Sequence, residues 1–195
     1  MSEFRINEIF YSLQGEGRWA GRPAVFIRFS GCNLNCSFCD TDFAKYKVFS
    51  ASQIVDKALS YGPCRFVVLT GGEPTLQVNA ELIDLLHEAG FYIAIETNGT
   101  HDVPKGIDWV TCSPKQMFVG HAQPVIKQAS EVKVVFDGTH EVSRCGIQSK
   151  YCYLQPCDTG DAENNRNIIK ATIDYIKQHP QWQLSLQLHK ILQIR

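Results

Sequence analysis

Short β-type segments alternate with helical segments along most of this 195-residue chain. The β-type segments are runs rich in β-branched and aromatic residues, bounded by turn residues, which is typical of short strands. They cover residues 6–13, 24–29, 66–69, 92–95, 109–112, 132–136, 151–154 and 183–188. Because a helix between two strands usually joins them in parallel through a right-handed crossover, the alternation predicts a mainly parallel sheet.

Three segments between these strands carry apolar residues at helical spacing. They cover residues 52–61, 80–89 and 162–178. Asn79 precedes the second segment as a hydrogen-bonding cap, and Gly90 follows it as a stop signal. The sequence therefore predicts three helices that alternate with the strands.

The length of the chain limits how far such a sheet can close. A complete barrel of eight strand–helix units needs about 250 residues, at roughly 30 residues per unit. This chain can therefore form about six units at most. We predict one α/β domain over residues 1–195, built as a partial (open) TIM-like barrel with a mainly parallel sheet.

Four predicted strands run directly into small or polar residues. These endings are residues 70–74 (TGGEP), 96–100 (ETNGT), 113–115 (SPK) and 155–156 (QP). One such ending is typical of a simple turn. Since the carboxyl ends of parallel strands meet at one edge of a sheet, four of them together predict a polar ligand at that edge.

Several residues near this edge have more than one interpretation. Gly71 and Gly72 lack a Cβ and would let a ligand approach the backbone, where Glu73 could accept a hydrogen bond from an ammonium group. Lys115 either pairs with a carboxylate or is a solvated surface lysine. Arg28 lies inside an apolar strand, and three interpretations of it are open. It faces water, it forms a structural salt bridge, or it faces inward and binds a substrate carboxylate.

Three cysteines, Cys32, Cys36 and Cys39, lie within eight residues of each other. Three thiolates without a neighbouring fourth suit a [4Fe-4S] cluster that is held at three irons and left open at the fourth. Zinc is one alternative, but neither a second Cys-x2-Cys pair nor a nearby His supplies further ligands. Disulfide bonds are another alternative. They are typical of secreted proteins, and residues 1–8 do not resemble a secretory signal. The other five cysteines are interpreted as packing residues: Cys64, Cys112, Cys145, Cys152 and Cys157. Cys145, Cys152 and Cys157 could instead bind a second cluster, but their irregular spacing makes this the weaker interpretation.

The charge balance excludes some classes of partner. The 19 basic and 20 acidic residues give a formal net charge of −1 and are mixed along the chain, so no nucleic-acid-binding surface is predicted. No apolar run approaches the roughly 18 residues of a membrane helix. We therefore expect a cytoplasmic protein without a membrane or nucleic-acid partner.

Two motifs resemble those of the radical S-adenosylmethionine (SAM) enzymes. One is the cysteine spacing with an aromatic residue before the last cysteine, and the other is the Gly-Gly-Glu-Pro strand ending. Motifs along the whole chain are similar to one family among them, the 7-carboxy-7-deazaguanine synthases. These motifs are residues 13–17 (LQGEG), 21–24 (GRPA), 39–41 (CDT), 70–74, 96–100, 113–115 and 184–190 (LSLQLHK). The chain departs from the usual family ending at Leu188, in place of a threonine, and at the final Arg195, in place of a small residue.

This resemblance implies a defined reaction. SAM chelates the open iron, and one electron cleaves it to methionine and a 5′-deoxyadenosyl radical. The radical abstracts a hydrogen atom from 6-carboxy-5,6,7,8-tetrahydropterin, whose ring contracts with loss of ammonia to 7-carboxy-7-deazaguanine, a precursor of queuosine. The chain would then be a carbon–nitrogen lyase whose cofactors supply the difficult chemistry.

The resemblance also implies binding residues by matching position. The implied SAM-binding residues are Phe38, Cys39, Asp40, Gly72, Ser113, Pro114, Lys115, Gln155, Pro156, Cys157 and Asp158. The implied pterin-binding residues are Leu13, Gln14, Gly15, Glu16, Arg28, Thr70, His189 and, through its terminal carboxylate, Arg195. Thr41 is implied as a ligand of Mg²⁺, although locally residues 40–42 fit a polar turn equally well.

The family further implies a homodimer and an electron donor such as flavodoxin. Two other functions stay open on the sequence. One is an activase that uses the same cluster to install a glycyl radical on a partner protein. The other is a zinc-binding interaction module in which the cysteines recruit a distant fourth ligand.

Overall fold

The computed structural model describes residues 2–39 and 45–195, and in these ranges nine strands form one sheet. The strands are β1 Glu3–Leu13, β2 Pro23–Phe29, β3 Lys47–Ser50, β4 Phe66–Gly71, β5 Tyr92–Thr97, β6 Trp109–Cys112, β7 Gln128–Phe136, β8 Gln148–Pro156 and β9 Gln183–Leu184. The helices are α1 Ala51–Leu59, α2 Ala80–Glu88, α3 Ala162–Gln178 and α4 Leu188–Leu192, with 3-10 turns at Gly17–Trp19 and Pro74–Leu76.

The sheet is mainly parallel and open, which confirms the predicted fold class. Its strand order is β3-β1-β2-β4-β5-β6-β7-β8-β9. From β2 to β9 each neighbouring pair is parallel, whereas β1 is antiparallel to both β2 and β3. The two ends of this order, β3 and β9, do not pair with each other, so the barrel does not close.

The outer face of the sheet packs against helices. Alternate residues of a strand point to opposite faces, so Val25, Ile27 and Phe29 of β2 join a buried cluster with residues of α1 and α2. A second cluster, around Val132 and Leu154, packs against residues of α3. These apolar faces hold the crossover helices on the outside and leave the other face of each strand to line the interior.

The inner face changes character along each strand. At the amino ends, Trp19 packs against the rings of Phe66, Tyr92 and Trp109, with centroid distances of 5.7, 6.1 and 5.1 Å. The guanidinium carbon of Arg22 lies 4.1 Å from the Phe66 ring centroid. We call Trp19, Arg22, Phe66, Tyr92 and Trp109 the aromatic plug. It packs the amino ends of these strands, whereas the carboxyl ends of the same strands line a cavity.

The helix predictions agree well with the structure. Asn79 caps α2 by accepting a hydrogen bond from the Leu82 amide at 3.1 Å. Ser50 caps α1 in a reciprocal pair with Gln53, the capping box. The observed α3 has the bounds that were predicted for it.

The last predicted strand, 183–188, is wrong beyond its first two residues. Only Gln183–Leu184 pairs with β8, and the Ser185 amide still donates to Leu154 O at 3.0 Å. The Ser185 hydroxyl then donates to Gln155 Oε1, which turns the chain inward before α4 begins at Leu188. The short edge strand β3 was not predicted. Across the described residues, no helix has the length and apolar content to cross a membrane.

Candidate active site

A cavity of about 750 Å³ opens at the carboxyl ends of the parallel strands. It is lined by nearly all the residues that the sequence singled out. These are Leu13, Gln14, Gly15, Glu16, Arg28, Cys32, Cys36, Phe38, Cys39, Thr70, Gly72, Ser113, Lys115, Gln155, Pro156, Cys157, Asp158, His189 and Arg195. Pro114 is not among the lining residues. Asp40 and Thr41 lie outside the described residues, so their predicted roles cannot be placed in this cavity.

The three-cysteine loop follows β2 and forms one wall of this cavity. The Leu34 amide donates to Cys32 Sγ at 3.4 Å, and the Cys39 amide donates to Cys36 O at 3.1 Å. Burial raises the pKa of the Cys32 and Cys36 thiols. An iron cluster binds cysteines as thiolates, so its binding would displace these protons. Amides that donate to the sulfur atoms affect the reduction potential of such a cluster.

The donor set fits a polynuclear cluster better than a single metal ion. Within residues 2–39 and 45–195, no three His, Cys, Asp or Glu side chains are gathered so that they could hold one ion. A structural zinc would need such a gathering of ligands around one point. Cys32, Cys36 and Cys39 nevertheless line the same cavity, as thiolates at separate corners of a larger group would.

The Gly-Gly-Glu-Pro turn packs against the cysteine loop. A Cβ at Gly72 would lie 1.9 Å from Gly31 O, so glycine is required there by the neighbouring backbone. Glu73 is 0% exposed and accepts from Thr97 Oγ1 at 2.8 Å and from the Asn98 amide at 2.7 Å. The expectation that Glu73 faces a ligand ammonium is therefore wrong. Its carboxylate is used to join the ends of β4 and β5.

Arg28 lines the cavity, as the inward-facing interpretation predicts, and it also forms a salt bridge, as a second interpretation predicts. Its Nε donates to Glu8 Oε1 at 2.9 Å, and the two side chains are 25% and 24% exposed. Glu8 lies directly opposite Arg28 in the antiparallel pairing of β1 with β2. Sequence reasoning missed Glu8 because this cross-strand register is not visible in the sequence.

Lys133 forms a second charged group that the sequence did not indicate. It is 5% exposed and donates to carboxylates of Glu16 and Glu96, the latter at 2.9 Å. Gln14 donates to Glu96 at 3.2 Å, and Gln187 donates to Glu16 at 3.1 Å. We call Gln14, Glu16, Glu96, Lys133 and Gln187 the polar floor of the cavity.

The two carboxylates of this floor are in different protonation environments. Burial raises the pKa of Glu96 to about 7, because the attraction of Lys133 offsets burial only in part. Burial acts in the same direction on Glu16, but Lys133 and Gln187 outweigh it and lower the pKa of Glu16 to about 2. The same ion pairs hold the pKa of Lys133 above its usual range despite burial. Near neutral pH, Lys133 and Glu16 form an ion pair, and Glu96 is close to its pKa.

Lys115 is half-buried between the cysteine loop and the end of β6. Its Nζ donates to Ser113 O at 2.7 Å, and burial lowers its pKa. The alternative of a solvated surface lysine is therefore wrong. The ammonium group also attracts the Cys36 thiolate, which places a positive charge beside the proposed cluster.

The C-terminal segment closes the open side of the barrel next to β1. The Leu188 amide donates to Gly15 O at 3.1 Å, and a Cβ at Gly15 would meet the His189 ring at 2.5 Å. Lys190 Nζ donates to Asp158 at 2.8 Å, which ties the same segment to the end of β8. His189 and Lys190 thereby reach the cavity from the side where the sheet is incomplete.

The chain is similar to known proteins along nearly its whole length. The family model of the Radical SAM superfamily matches residues 26–115. A 7-carboxy-7-deazaguanine synthase of Bacteroides thetaiotaomicron is 49% identical over 192 residues, which cover 98% of each chain. One of Burkholderia multivorans is 43% identical, over 98% of this chain and 99% of its own. The crystal structure of QueE from Escherichia coli matches with a TM-score of 0.73 and 29% identity, over 95% of this chain and 94% of that one.

Proposed function

This chain belongs to the 7-carboxy-7-deazaguanine synthase family of radical SAM enzymes, and we propose that it converts 6-carboxy-5,6,7,8-tetrahydropterin to 7-carboxy-7-deazaguanine with loss of ammonia. The observation that carries the proposal is the cavity itself. One cavity brings three cysteines together with an arginine and a buried polar floor. Such a space suits a metal cluster, a cofactor and a small anionic substrate side by side.

We assign the cluster to Cys32, Cys36 and Cys39. When bound with SAM, the cluster supplies the one-electron cleavage that starts the reaction. The protein contributes the thiolates, the amide of Leu34 and a loop backbone packed tightly against Gly72. This rigid packing would keep the three thiolates at fixed positions.

We assign SAM to the side of the cavity formed by the ends of β4, β6 and β8. Support comes from the lining residues Gly72, Ser113 and Lys115, which follow β4 and β6, and from Gln155, the next-to-last residue of β8. The Lys115 ammonium is desolvated, so a carboxylate there would gain a strong charge-assisted hydrogen bond. Phe38 packs edge-on against Phe118 at 4.7 Å and offers an apolar surface at the same wall.

We assign the pterin to the opposite side, between Arg28 and the polar floor. Arg28 is the proposed partner of the pterin carboxylate because its guanidinium can bind a carboxylate through two parallel hydrogen bonds. The amide and carboxylate groups of Gln14, Glu16 and Glu96 would bind the donor and acceptor edge of the ring. Glu96, with a pKa of about 7, would also accept or return a proton during ammonia loss.

The reaction is tested directly by anaerobic incubation with 6-carboxytetrahydropterin, SAM and a reductant. Mass spectrometry should detect 7-carboxy-7-deazaguanine and one equivalent of ammonia per turnover. The matched control is the C36A variant, which should yield neither. If fully reconstituted enzyme forms no deazaguanine, the proposed reaction is wrong.

Four finer points belong to the same proposal. We propose that Thr41 binds Mg²⁺, which predicts that product formation falls when Mg²⁺ is removed by a chelator and recovers when it is restored. We also propose that the chain forms one domain, that it assembles as a cytoplasmic homodimer, and that a flavodoxin supplies the electron. Sedimentation velocity and reduction assays with purified flavodoxin check the last two.

A further inference from the structure

We propose that Arg195 sets the affinity of the site for a carboxylated substrate, and that it acts through Glu8 as a positioning residue. The structure pairs one carboxylate with two guanidinium groups at the cavity wall. Glu8 Oε1 accepts from Arg28 Nε at 2.9 Å, while Glu8 Oε2 accepts from Arg195 Nη2. The inference rests on the proposed function, because Arg28 is the proposed partner of the pterin carboxylate.

The local architecture holds these three side chains together. Glu8 and Arg28 lie opposite each other in neighbouring strands, and all three residues line the cavity. The guanidinium carbons of Arg28 and Arg195 lie 5.7 and 5.5 Å from the centroid of the Phe10 ring. Phe10 is itself fixed by stacking on Phe26 at 4.9 Å. Both cations are therefore attracted to the same aromatic ring.

The charges of this group are arranged to receive one more anion. Glu8 is shared between two guanidinium groups, so it neutralises Arg28 only in part and leaves Arg28 able to bind a substrate carboxylate. Without Arg195, Glu8 and Arg28 form a neutral pair. A substrate carboxylate would then compete with Glu8 for Arg28, and the two carboxylates would repel each other.

Arg195 is suited to a test by substitution because its side chain is 72% exposed. Its removal opens no buried cavity, so the effect reports charge rather than packing. Its main-chain oxygen accepts from Ser12 Oγ, and the amide of Ile194 donates to His189 O at 3.0 Å. These backbone contacts do not depend on the guanidinium and should survive in a variant.

The experiment measures equilibrium binding of 6-carboxytetrahydropterin to anaerobic, cluster-loaded protein with SAM and without a reductant, so that no turnover occurs. We expect R195A to raise the Kd about fivefold, the upper end for an ion pair whose arginine is largely exposed. The double variant E8Q/R195A should return to within about twofold of the wild type, because Glu8 no longer neutralises Arg28. R195K should retain most of the affinity, since it keeps the positive charge.

Two controls make the result specific to the carboxylate. A tetrahydropterin without the carboxyl group should bind wild type and R195A equally. The matched variant R166A removes an exposed arginine from α3 and should not change the Kd for either pterin.

An unchanged Kd in R195A would overturn the inference. So would a double variant as weak as R195A, because Arg195 would then contact the substrate directly. If wild-type protein does not bind the carboxylated pterin at all, the proposed function fails instead, and the two failures are thereby distinguished.

Discussion

The two ends of the barrel interior are built on the same strands but have opposite chemistry. In β5, Tyr92 belongs to the aromatic plug, and Glu96, four residues later on the same face, belongs to the polar floor. In β4, Phe66 lies in the plug, and Thr70 lines the cavity. The aromatic end gains stability from apolar burial. The polar end holds buried charges that cost stability and serve binding and chemistry.

The largest effect should follow from removing a thiolate at the polar end. In C36A, two cysteines remain and cannot hold a three-ligand cluster, so SAM cleavage should fall below detection. Methionine release is measured by mass spectrometry after iron and sulfide reconstitution. C112A is the matched control, because Cys112 is a buried thiol on the outer side of β6. Undiminished methionine release from C36A would contradict the assignment.

The next effect should come from the polar floor. K133M leaves Glu16 and Glu96 without their shared cation, so either a proton is taken up or two buried carboxylates repel each other. Breaking a buried charged network in this way costs about 3–5 kcal/mol. We expect kcat/KM at pH 7 to fall by about 100-fold, because Glu16 and Glu96 lose the cation that fixes their positions at the cavity. K170M, on the exposed side of α3, is the control and should behave as wild type.

The aromatic end should show the reverse pattern. F66A removes a ring that is 1% exposed, and the free energy of unfolding should fall by about 3–5 kcal/mol. Denaturant unfolding measures this loss. The Kd for SAM, measured on the remaining folded protein, should change less than about twofold, given that mutations at distant sites usually act independently. A large change in Kd would mean that the plug and the site are coupled.

The smallest effect concerns the pH dependence of stability. Glu96 has a pKa of about 7 in the folded protein, above the ordinary 4.5, so folding takes up a proton between these values. The free energy of unfolding therefore falls as pH rises from about 4.5 to 7, and Glu96 accounts for roughly 1–3 kcal/mol of this loss. Glu16 acts in the opposite sense at lower pH. Its pKa of about 2 gives stability that is present above 4.5 and lost as pH falls towards 2.

The E96Q variant tests the part of this pH dependence that Glu96 causes, between pH 5 and 7. The glutamine cannot titrate, so the decline in the free energy of unfolding between pH 5 and 7 should become shallower than in wild type. Urea unfolding at a series of pH values measures the slope. An identical slope in both proteins would show that Glu96 does not retain its proton in this range.

Patterns within one element were predictable from the sequence. The predicted helix over residues 162–178, which stops before His179 and Pro180, has the same bounds in the structure. The strand endings predicted a ligand site because parallel strands align their carboxyl ends, and residues of all four endings line one cavity. The roles of the individual residues came from the family resemblance and stay predictions.

Pairings between distant elements were not predictable. The sequence around Lys133 does not indicate its ion pairs, because its partners Glu16 and Glu96 are far away in sequence. Glu8 was missed for the same reason. Residues 183–188 alternate like a strand, but the side chain of Ser185 bonds inward to Gln155 and ends the pairing.

The central claim is that Cys32, Cys36 and Cys39 hold an iron–sulfur cluster whose open iron binds SAM. Electron paramagnetic resonance of the reduced, anaerobically reconstituted protein tests it most directly. We predict a [4Fe-4S]⁺ signal whose g-values shift when SAM is added. A protein that shows no such signal, or a signal that SAM leaves unchanged, would contradict the claim.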